Sequence, residues 1–409
     1  MSARSPRISP DRLWDDLMTL GEIGALPNGG VSRTALSPED MKGREWFIAA
    51  CRQAGLEVRL DPMCNIIARL SAKEPNAKVL ATGSHLDTVP GGGRFDGALG
   101  VLAGLECARV IKEQGIELPY HLEVINFTDE EGAYGAGSVG SRAMLGALAP
   151  GELHRVSTVK GGSFAEDLAK IGGDANQNPG RKGDEFAAFV ELHIEQGCRL
   201  EVEGKDCGIV TAIVSIDRHE VTVTGEAGHA GTTPMHLRKD ALILAAPLFS
   251  LVPQWAVEQN PEMVATIGTV VLVPGTPNVI PGECRFIIEL RGENQEDLEA
   301  VRVRLAEYIQ GKPEFSVRQL YQKPGVRMHA DARAAVEKAI AMENCSSISL
   351  PSGAGHDAHT FGHHVPTAMI FIPCRKGISH NPAEWAEKGQ VTQGAQILLN
   401  TLLILSGKS

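Results

Sequence analysis

Ala81-Thr82-Gly83-Ser84-His85-Leu86-Asp87-Thr88-Val89-Pro90-Gly91-Gly92-Gly93-Arg94-Phe95-Asp96-Gly97 is an apolar strand end that runs into a glycine-rich loop carrying one imidazole and two carboxylates. Loops at the ends of buried strands are where α/β proteins place their chemistry, because the sheet holds the loop while its tip stays open. Imidazole and carboxylate are also what a divalent metal takes as ligands. Taken singly these residues have ordinary explanations. Asp96, just before Gly97 and an apolar run, is equally well placed as a helix N-cap.

Working outward, Leu99, Leu102, Leu105 and Val110 form a helical stripe that ends near Gly115, and His121–Phe127 reads as the next strand. Strand, helix, strand at this spacing is a βαβ unit. The expected fold class is therefore α/β, a mixed, largely parallel sheet flanked by helices. Upstream, the stripe at Leu13, Trp14, Leu17, Met18 and Leu20 predicts one helix, and Ser37-Pro38-Glu39-Asp40 starts another with a serine cap and proline in the first turn. The segments 56–60 and 65–70 read as a strand pair.

The middle of the chain changes character. Residues 218–224 alternate like a half-exposed strand, and a helix follows around 238–250, with Pro247 expected to kink or end it. Strands over 263–273 and 283–290, a helix capped by Asn294, and a strand over 315–320 complete a β-α-β-β-α-β order, which is an independent ferredoxin-like α+β unit. Thr367–Ile372 returns to a buried strand.

A chain of 409 residues is too long for one core. Its net charge of −11 argues against a nucleic-acid or anionic-membrane partner, which asks for a basic face. No uninterrupted apolar run reaches the roughly 18 residues of a membrane helix, and the basic N-terminal residues lack the apolar segment of a signal peptide. Eight cysteines are scattered without a C-x-x-C pair and read as reduced thiols, which predicts a cytoplasmic protein.

Three further segments offer ligands: Asp129-Glu130-Glu131-Gly132 after a strand, Glu191-Leu192-His193-Ile194-Glu195-Gln196-Gly197, and Ser379-His380-Asn381 in the loop after the strand at 367–372. Each alone has a plain alternative: a core histidine for His193, a solvated pair for Glu130 and Glu131, a turn for His380. Together they recur at the ends of strands in one domain, and parallel strands bring such ends to one edge. Adjacent buried glutamates repel and raise each other's pKa unless a cation intervenes. Three histidines and two carboxylates exceed one tetrahedral zinc and suit two ions, with Asp96 as the bridge because a carboxylate has two oxygens. One glutamate then stays off the metals to move protons. Asp87, two residues from His85, is expected to point the same way and fix the imidazole tautomer through its carboxylate.

These motifs, with Gly228-His229-Ala230-Gly231-Thr232-Thr233-Pro234-Met235 and Gly353-Ala354-Gly355-His356-Asp357-Ala358, resemble the M20 metallopeptidase-like amidohydrolases over nearly the whole chain. The closer resemblance is to the branch of N-carbamoyl-L-amino-acid hydrolases, β-ureidopropionases and allantoate amidohydrolases. It implies a zinc-exopeptidase-like catalytic domain over 1–213 and 329–409, with 214–328 inserted as a lid and dimerisation domain. His85, Asp96 and His193 would hold one ion, and Asp96, Glu131 and His380 the other. Zinc is the leading expectation, and manganese, cobalt and nickel share these ligand preferences. Glu130 would act as general base on a metal-bridging hydroxide, with Asp87 and His229 completing the catalytic set and His229 stabilising the oxyanion. His229, Asn278, Arg291, Gln196 and Gly355 would contact a small carboxylate-bearing substrate, in a homodimer.

The implied reaction is hydrolysis of an N-carbamoyl L-amino acid to amino acid, CO2 and ammonia. Allantoate or β-ureidopropionate hydrolysis, and N-acyl amino acid or dipeptide hydrolysis, are the alternatives. Ala133-Tyr134 after Gly132 departs from the close relatives, as does Arg218-His219 where allantoate-processing relatives often carry two arginines. Both changes bear on the substrate and leave the chemistry intact. A non-catalytic binding protein on the same fold would have lost a ligand or the base, and here all are present.

Overall fold

The computed structural model describes residues 6–158, 161–177 and 179–408. The first five residues, on which part of the signal-peptide reading rests, lie outside that range. The chain divides into two compact units, one of residues 1–211 with 328–409 and one of residues 212–327.

In the first unit the strands are β1 (Glu57–Leu60), β2 (Ile66–Leu70), β3 (Val79–His85), β4 (His121–Phe127), β5 (Phe186–Ile194) and β6 (Cys207–Ile213), the last leading out of it. The second unit carries β7 (Ser215–Thr224), β8 (Gly228–His229), β9 (Val264–Val273), β10 (Val279–Ile280), β11 (Glu283–Gly292), β12 (Phe315–Lys323) and β13 (Val326–Arg327). Back in the first unit are β14 (Ser347–Ser352) and β15 (Thr367–Ile372).

The first unit's sheet runs β1-β2-β4-β3-β5-β15-β6, with β14 beside β6. Its centre, β4-β3-β5-β15, is parallel throughout, and both edges turn antiparallel. β3, β4 and β15 are buried at every position, as strands covered by helices on both faces must be. The helices Ala98–Glu113 and Lys388–Leu405 pack on the sheet through Leu99, Leu102, Leu105, Ile397, Leu398 and Leu402, all fully buried. Because the four central strands are parallel, their carboxyl ends share one edge. His85 ends β3, Asp129 to Glu131 follow β4, His193 is the penultimate residue of β5, and His380 lies in the loop after β15.

The second unit is an antiparallel sheet of order β12-β7-β11-β9 with helices Ala241–Gln259 and Gln295–Ile309 on one face. That is the ferredoxin-like order expected from the alternation. Two details differ. Helix Ala241–Gln259 runs on through Pro247 and Pro253 rather than ending at the first. Asn294 stands at the N-cap position, but its side chain donates to Asp297 Oδ2 at 3.0 Å instead of accepting from the backbone.

The 19-residue helix Ala241–Gln259 is also long and apolar enough by length and composition to cross a membrane, although polar residues and prolines interrupt its apolar run. Ala241, Ala245, Leu248, Val252, Trp255 and Ala256 of this helix are buried in the second unit's core.

Candidate metal centre

The glycine-rich loop shapes the site before any ligand is counted. Helix Ala98–Glu113 begins at Gly97, whose φ is +64° and which has no side-chain cap, so Asp96 is not a capping residue. A Cβ on Gly97 would lie 2.4 Å from the His85 ring, so only glycine lets the helix start close against the imidazole.

Asp96 sits at the centre. Its Oδ1 is 3.2 Å from His193 Nε2 and 3.6 Å from His85 Nε2, and its Oδ2 is 3.3 Å from His380 Nε2. His380 Nε2 is also 3.3 Å from Glu131 Oε2. Two sets of ligand atoms therefore converge, His85 with Asp96 and His193, and Asp96 with Glu131 and His380, each within 4.8 Å of one another. Asp96 belongs to both.

The tautomers fit a cation. His85 Nδ1 lies 2.9 Å from the Asp87 carbonyl oxygen, and His193 Nδ1 lies 2.9 Å from the Ile194 carbonyl oxygen. With Nδ1–H donating to a carbonyl, either ring in its neutral form would offer its Nε2 lone pair to an ion bound beside Asp96. The backbone N–H of Gly97 lies 3.1 Å from His193 Nε2.

Burial pushes the Asp96 carboxyl up, but hydrogen bonds from His193 and His380 outweigh it and hold the group well below the usual range. Burial pulls the His85 imidazole down, and the carboxylates of Glu130, Asp87, Glu131 and Asp96 lift it well above its ordinary value. Hydrogen bonds to Asp96 and Glu131 raise His380 to about 10. Protons thus stand where cations would, and ligation needs neutral imidazole. Zinc binding near pH 7 is expected to release more than one proton per chain. Titration calorimetry in buffers of different ionisation enthalpy measures this, and a heat independent of the buffer contradicts it.

Glu130 stands apart from the two ligand sets, with its Oε2 3.7 Å from His85 Nε2 and Ser138 Oγ donating to its Oε1 at 3.0 Å. Burial raises it to about 7, opposed by the nearby His85 charge and reinforced by Glu131, Asp87 and Asp96.

One expectation needs correction. The Asp87 side chain does not orient His85. Its backbone carbonyl does, while its carboxylate lies 3.9 Å from the ring and accepts the N–H groups of Glu130 and Glu131 at 3.4 and 3.2 Å. Gln196, a candidate for the substrate pocket, stands beside both ligand sets, where its amide donates to Asp96 Oδ2 at 2.7 Å. Tyr134 is buried, with its hydroxyl on Asp167 Oδ2 at 2.7 Å and its ring edge-on to Phe164. His219 shares the buried side of β7 with Asp217, 2.9 Å from its carboxylate.

Gly355 is exposed beside His356, whose ring packs edge-on to His193 with centroids 4.6 Å apart. Glu191, His193 and His356 form a third close group. Both Glu191 oxygens already accept hydrogen bonds there, from Ser84 Oγ at 2.7 Å and Ala358 N–H at 2.8 Å. In the second unit, His229 pairs with Val279 across β8 and β10, and next to that pair Ala230 N–H donates to the Asn278 carbonyl at 3.0 Å. Arg291 lies on β11 with its Nε donating to Glu289 at 2.8 Å, and Arg218 from β7 also bonds Glu289.

Sequence reasoning missed Glu384 and gave no task to Ser379. Their only local signal is proximity to His380.

The fold carries two candidate metal-ligand sets that share Asp96 at the carboxyl edge of its parallel strands. The family model described as peptidase family M20/M25/M40 matches residues 81–404, and the chain belongs to that family. The chain is 38% identical over 404 residues to an N-carbamoyl-L-amino acid amidohydrolase of Geobacillus stearothermophilus, covering 97% of this chain and 98% of that protein. It is 34% identical to an allantoate amidohydrolase of Escherichia coli, covering 94% and 95%. An amidase of the hydantoinase/carbamoylase family from Burkholderia multivorans superposes with a TM-score of 0.92 at 36% identity, covering 98% and 99%. Like these relatives, the chain is a hydrolase of carbon–nitrogen bonds other than peptide bonds.

Proposed function

We propose that the protein hydrolyses the ureido C–N bond of an N-carbamoyl L-amino acid, releasing the amino acid, CO2 and ammonia, with two zinc ions held by His85, Asp96 and His193 and by Asp96, Glu131 and His380. The observation that carries the reading is the sharing of Asp96 by two ligand sets, in a chain alike end to end with a named N-carbamoyl-L-amino acid amidohydrolase.

Bound divalent ions supply Lewis acidity, which acidifies water and polarises a carbonyl. The chain's own groups do the rest. Glu130, raised to about 7 by burial, takes a proton from water at neutral pH and returns it to the leaving nitrogen. His229 Nδ1 accepts Gly231 N–H at 3.1 Å, which leaves the proton on Nε2 of an exposed ring, the tautomer that donates to an oxyanion. Arg291, its Nε held by Glu289, presents guanidinium donors suited to an α-carboxylate. Asn278 and Gly355 add backbone and amide groups for orientation, and Asp87 sets the two glutamates through their N–H groups. The loss of one arginine at Arg218-His219 disfavours allantoate, which has an extra ureido group to satisfy.

The test is a side-by-side assay of carbamoyl, formyl and acetyl derivatives of one amino acid, with allantoate as a further substrate. Ammonia and free amino acid from the carbamoyl compound are expected. Faster cleavage of the acetyl compound, or turnover of allantoate alone, rejects the assignment.

The second unit supports a homodimer reading. β9 is an edge strand without a charged residue, exposing Val264, Val270, Val271 and Val273, and the adjacent helix exposes Ile243 and Val257. Natural edges are normally protected by charge, so this one is suited to pairing with a second copy. Val271→Glu is expected to halve the mass seen by light scattering; an unchanged mass removes β9 from the interface. Eight free thiols fit a reducing, cytoplasmic compartment.

A further inference from the structure

Glu384 is buried in the loop between β15 and helix Lys388–Leu405, and no ligand set includes it. Its Oε1 accepts the backbone N–H of Phe95 at 2.9 Å and of Asp96 at 3.1 Å. Its Oε2 lies 3.0 Å from Ser379 Oγ, and that hydroxyl lies 2.7 Å from Asp96 Oδ2. One carboxyl group therefore joins the backbone of Asp96 to the residue preceding His380, from loops nearly 290 positions apart.

The surroundings are shaped to it. A Cβ on Gly93 would lie 2.0 Å from the Glu384 carboxyl carbon, so the glycine loop lies flush on that group. Trp385, the next residue, packs edge-on against Phe95 at 5.5 Å and Trp14 at 5.7 Å, which fixes the loop from the other side. A buried carboxyl satisfied by backbone N–H groups and a hydroxyl costs more than an apolar side chain in the same place. Its return is geometric, since both ends of its hydrogen bonds carry a ligand of the same ion.

We infer that Glu384 is the positioning residue that sets the separation of Asp96 and His380, and so the affinity for the ion they share with Glu131. The inference rests on the reading of those three residues as ligands. It concerns reach and hydrogen-bond pattern rather than charge. A glutamine keeps an oxygen for the two N–H groups and offers an NH2 to the Ser379 oxygen, whereas an alanine leaves both loops untied.

The experiment compares zinc stoichiometry and stepwise affinity in the whole protein for wild type, Glu384→Ala, Glu384→Gln and His380→Ala, with melting of each metal-free protein as the fold control. Glu384→Ala is expected to bind one ion at wild-type affinity and the second about 10–100-fold more weakly, as when a partner of a ligand is removed. Glu384→Gln is expected to return the second affinity to within a few-fold of wild type. Equal weakening of both ions, wild-type affinity in the alanine variant, or failure of glutamine to rescue a folded protein overturns the inference. Two tight ions in His380→Ala would instead overturn the ligand assignment itself, and the inference with it.

Discussion

Glu130→Gln is expected to lower kcat by about 10²–10⁴-fold, the usual contribution of a positioned general base, while both metal ions stay bound. Glutamine matches glutamate in shape and still accepts from Ser138 through its carbonyl oxygen, as Glu130 Oε1 does at 3.0 Å. It has no oxygen that can take a proton and hand it on. The ligand sets should survive, because the nearest imidazole, His85, has its Nε2 3.7 Å from Glu130 and closes its own set with Asp96 and His193. KM should move little, since the change falls on proton transfer rather than on substrate contacts. Steady-state kinetics with metal analysis on the same preparation decides. Unchanged turnover removes Glu130 from the chemistry. Loss of an ion makes it a ligand, and the division of labour between Glu130 and Glu131 is then wrong.

The parts of the site that were legible in the sequence follow from one physical fact. Strands buried on both faces read as unbroken apolar runs, as in Val79–Ala81 and Thr367–Ile372, and their ends mark where polar groups gather. His85, Glu131, His193 and His380 stand at or after such ends, so their meeting followed from parallel order. The contacts made by Asp87 did not. The expectation treated residues 85 and 87 as neighbours on an extended strand, but β3 ends at His85, and the turn beyond it points a carbonyl at the ring and the carboxylate at the next loop. The contact of Gln196 was equally hidden: its positive φ of +57° turns it out of strand geometry and toward Asp96. Glu384 was hidden differently. An acid near the C-terminus reads as solvated until the fold places it beneath a loop from the first quarter of the chain. Helix Ala241–Gln259 shows the limit of a local rule, since packing on the sheet outweighs the hydrogen bonds its two prolines remove.

The second large effect is expected at Asp96. Asp96→Asn keeps one oxygen and replaces the other with an NH2, so it cannot serve both His85 with His193 and His380 with Glu131. Metal content should fall from two ions to one or none, and kcat/KM by at least about 10²–10³-fold, comparable to losing a single electrostatic anchor at a reacting centre. The metal-free proteins separate this loss from misfolding. Burial opposes ionisation of Asp96, yet hydrogen bonds from His193 and His380 dominate and hold its folded pKa well below the unfolded value of 3.8. A depressed carboxylate contributes stability above its unfolded pKa and loses it as pH falls toward the folded one. Metal-free wild type should therefore melt above metal-free Asp96→Asn near neutral pH, and the gap should close as the pH is lowered below about 4. A variant that melts with wild type at every pH yet still loses its ions would make Asp96 a ligand without the apo-state role. A variant that keeps both ions and its activity would mean that the two sets do not share this carboxylate, and the paired-metal reading would have to be abandoned.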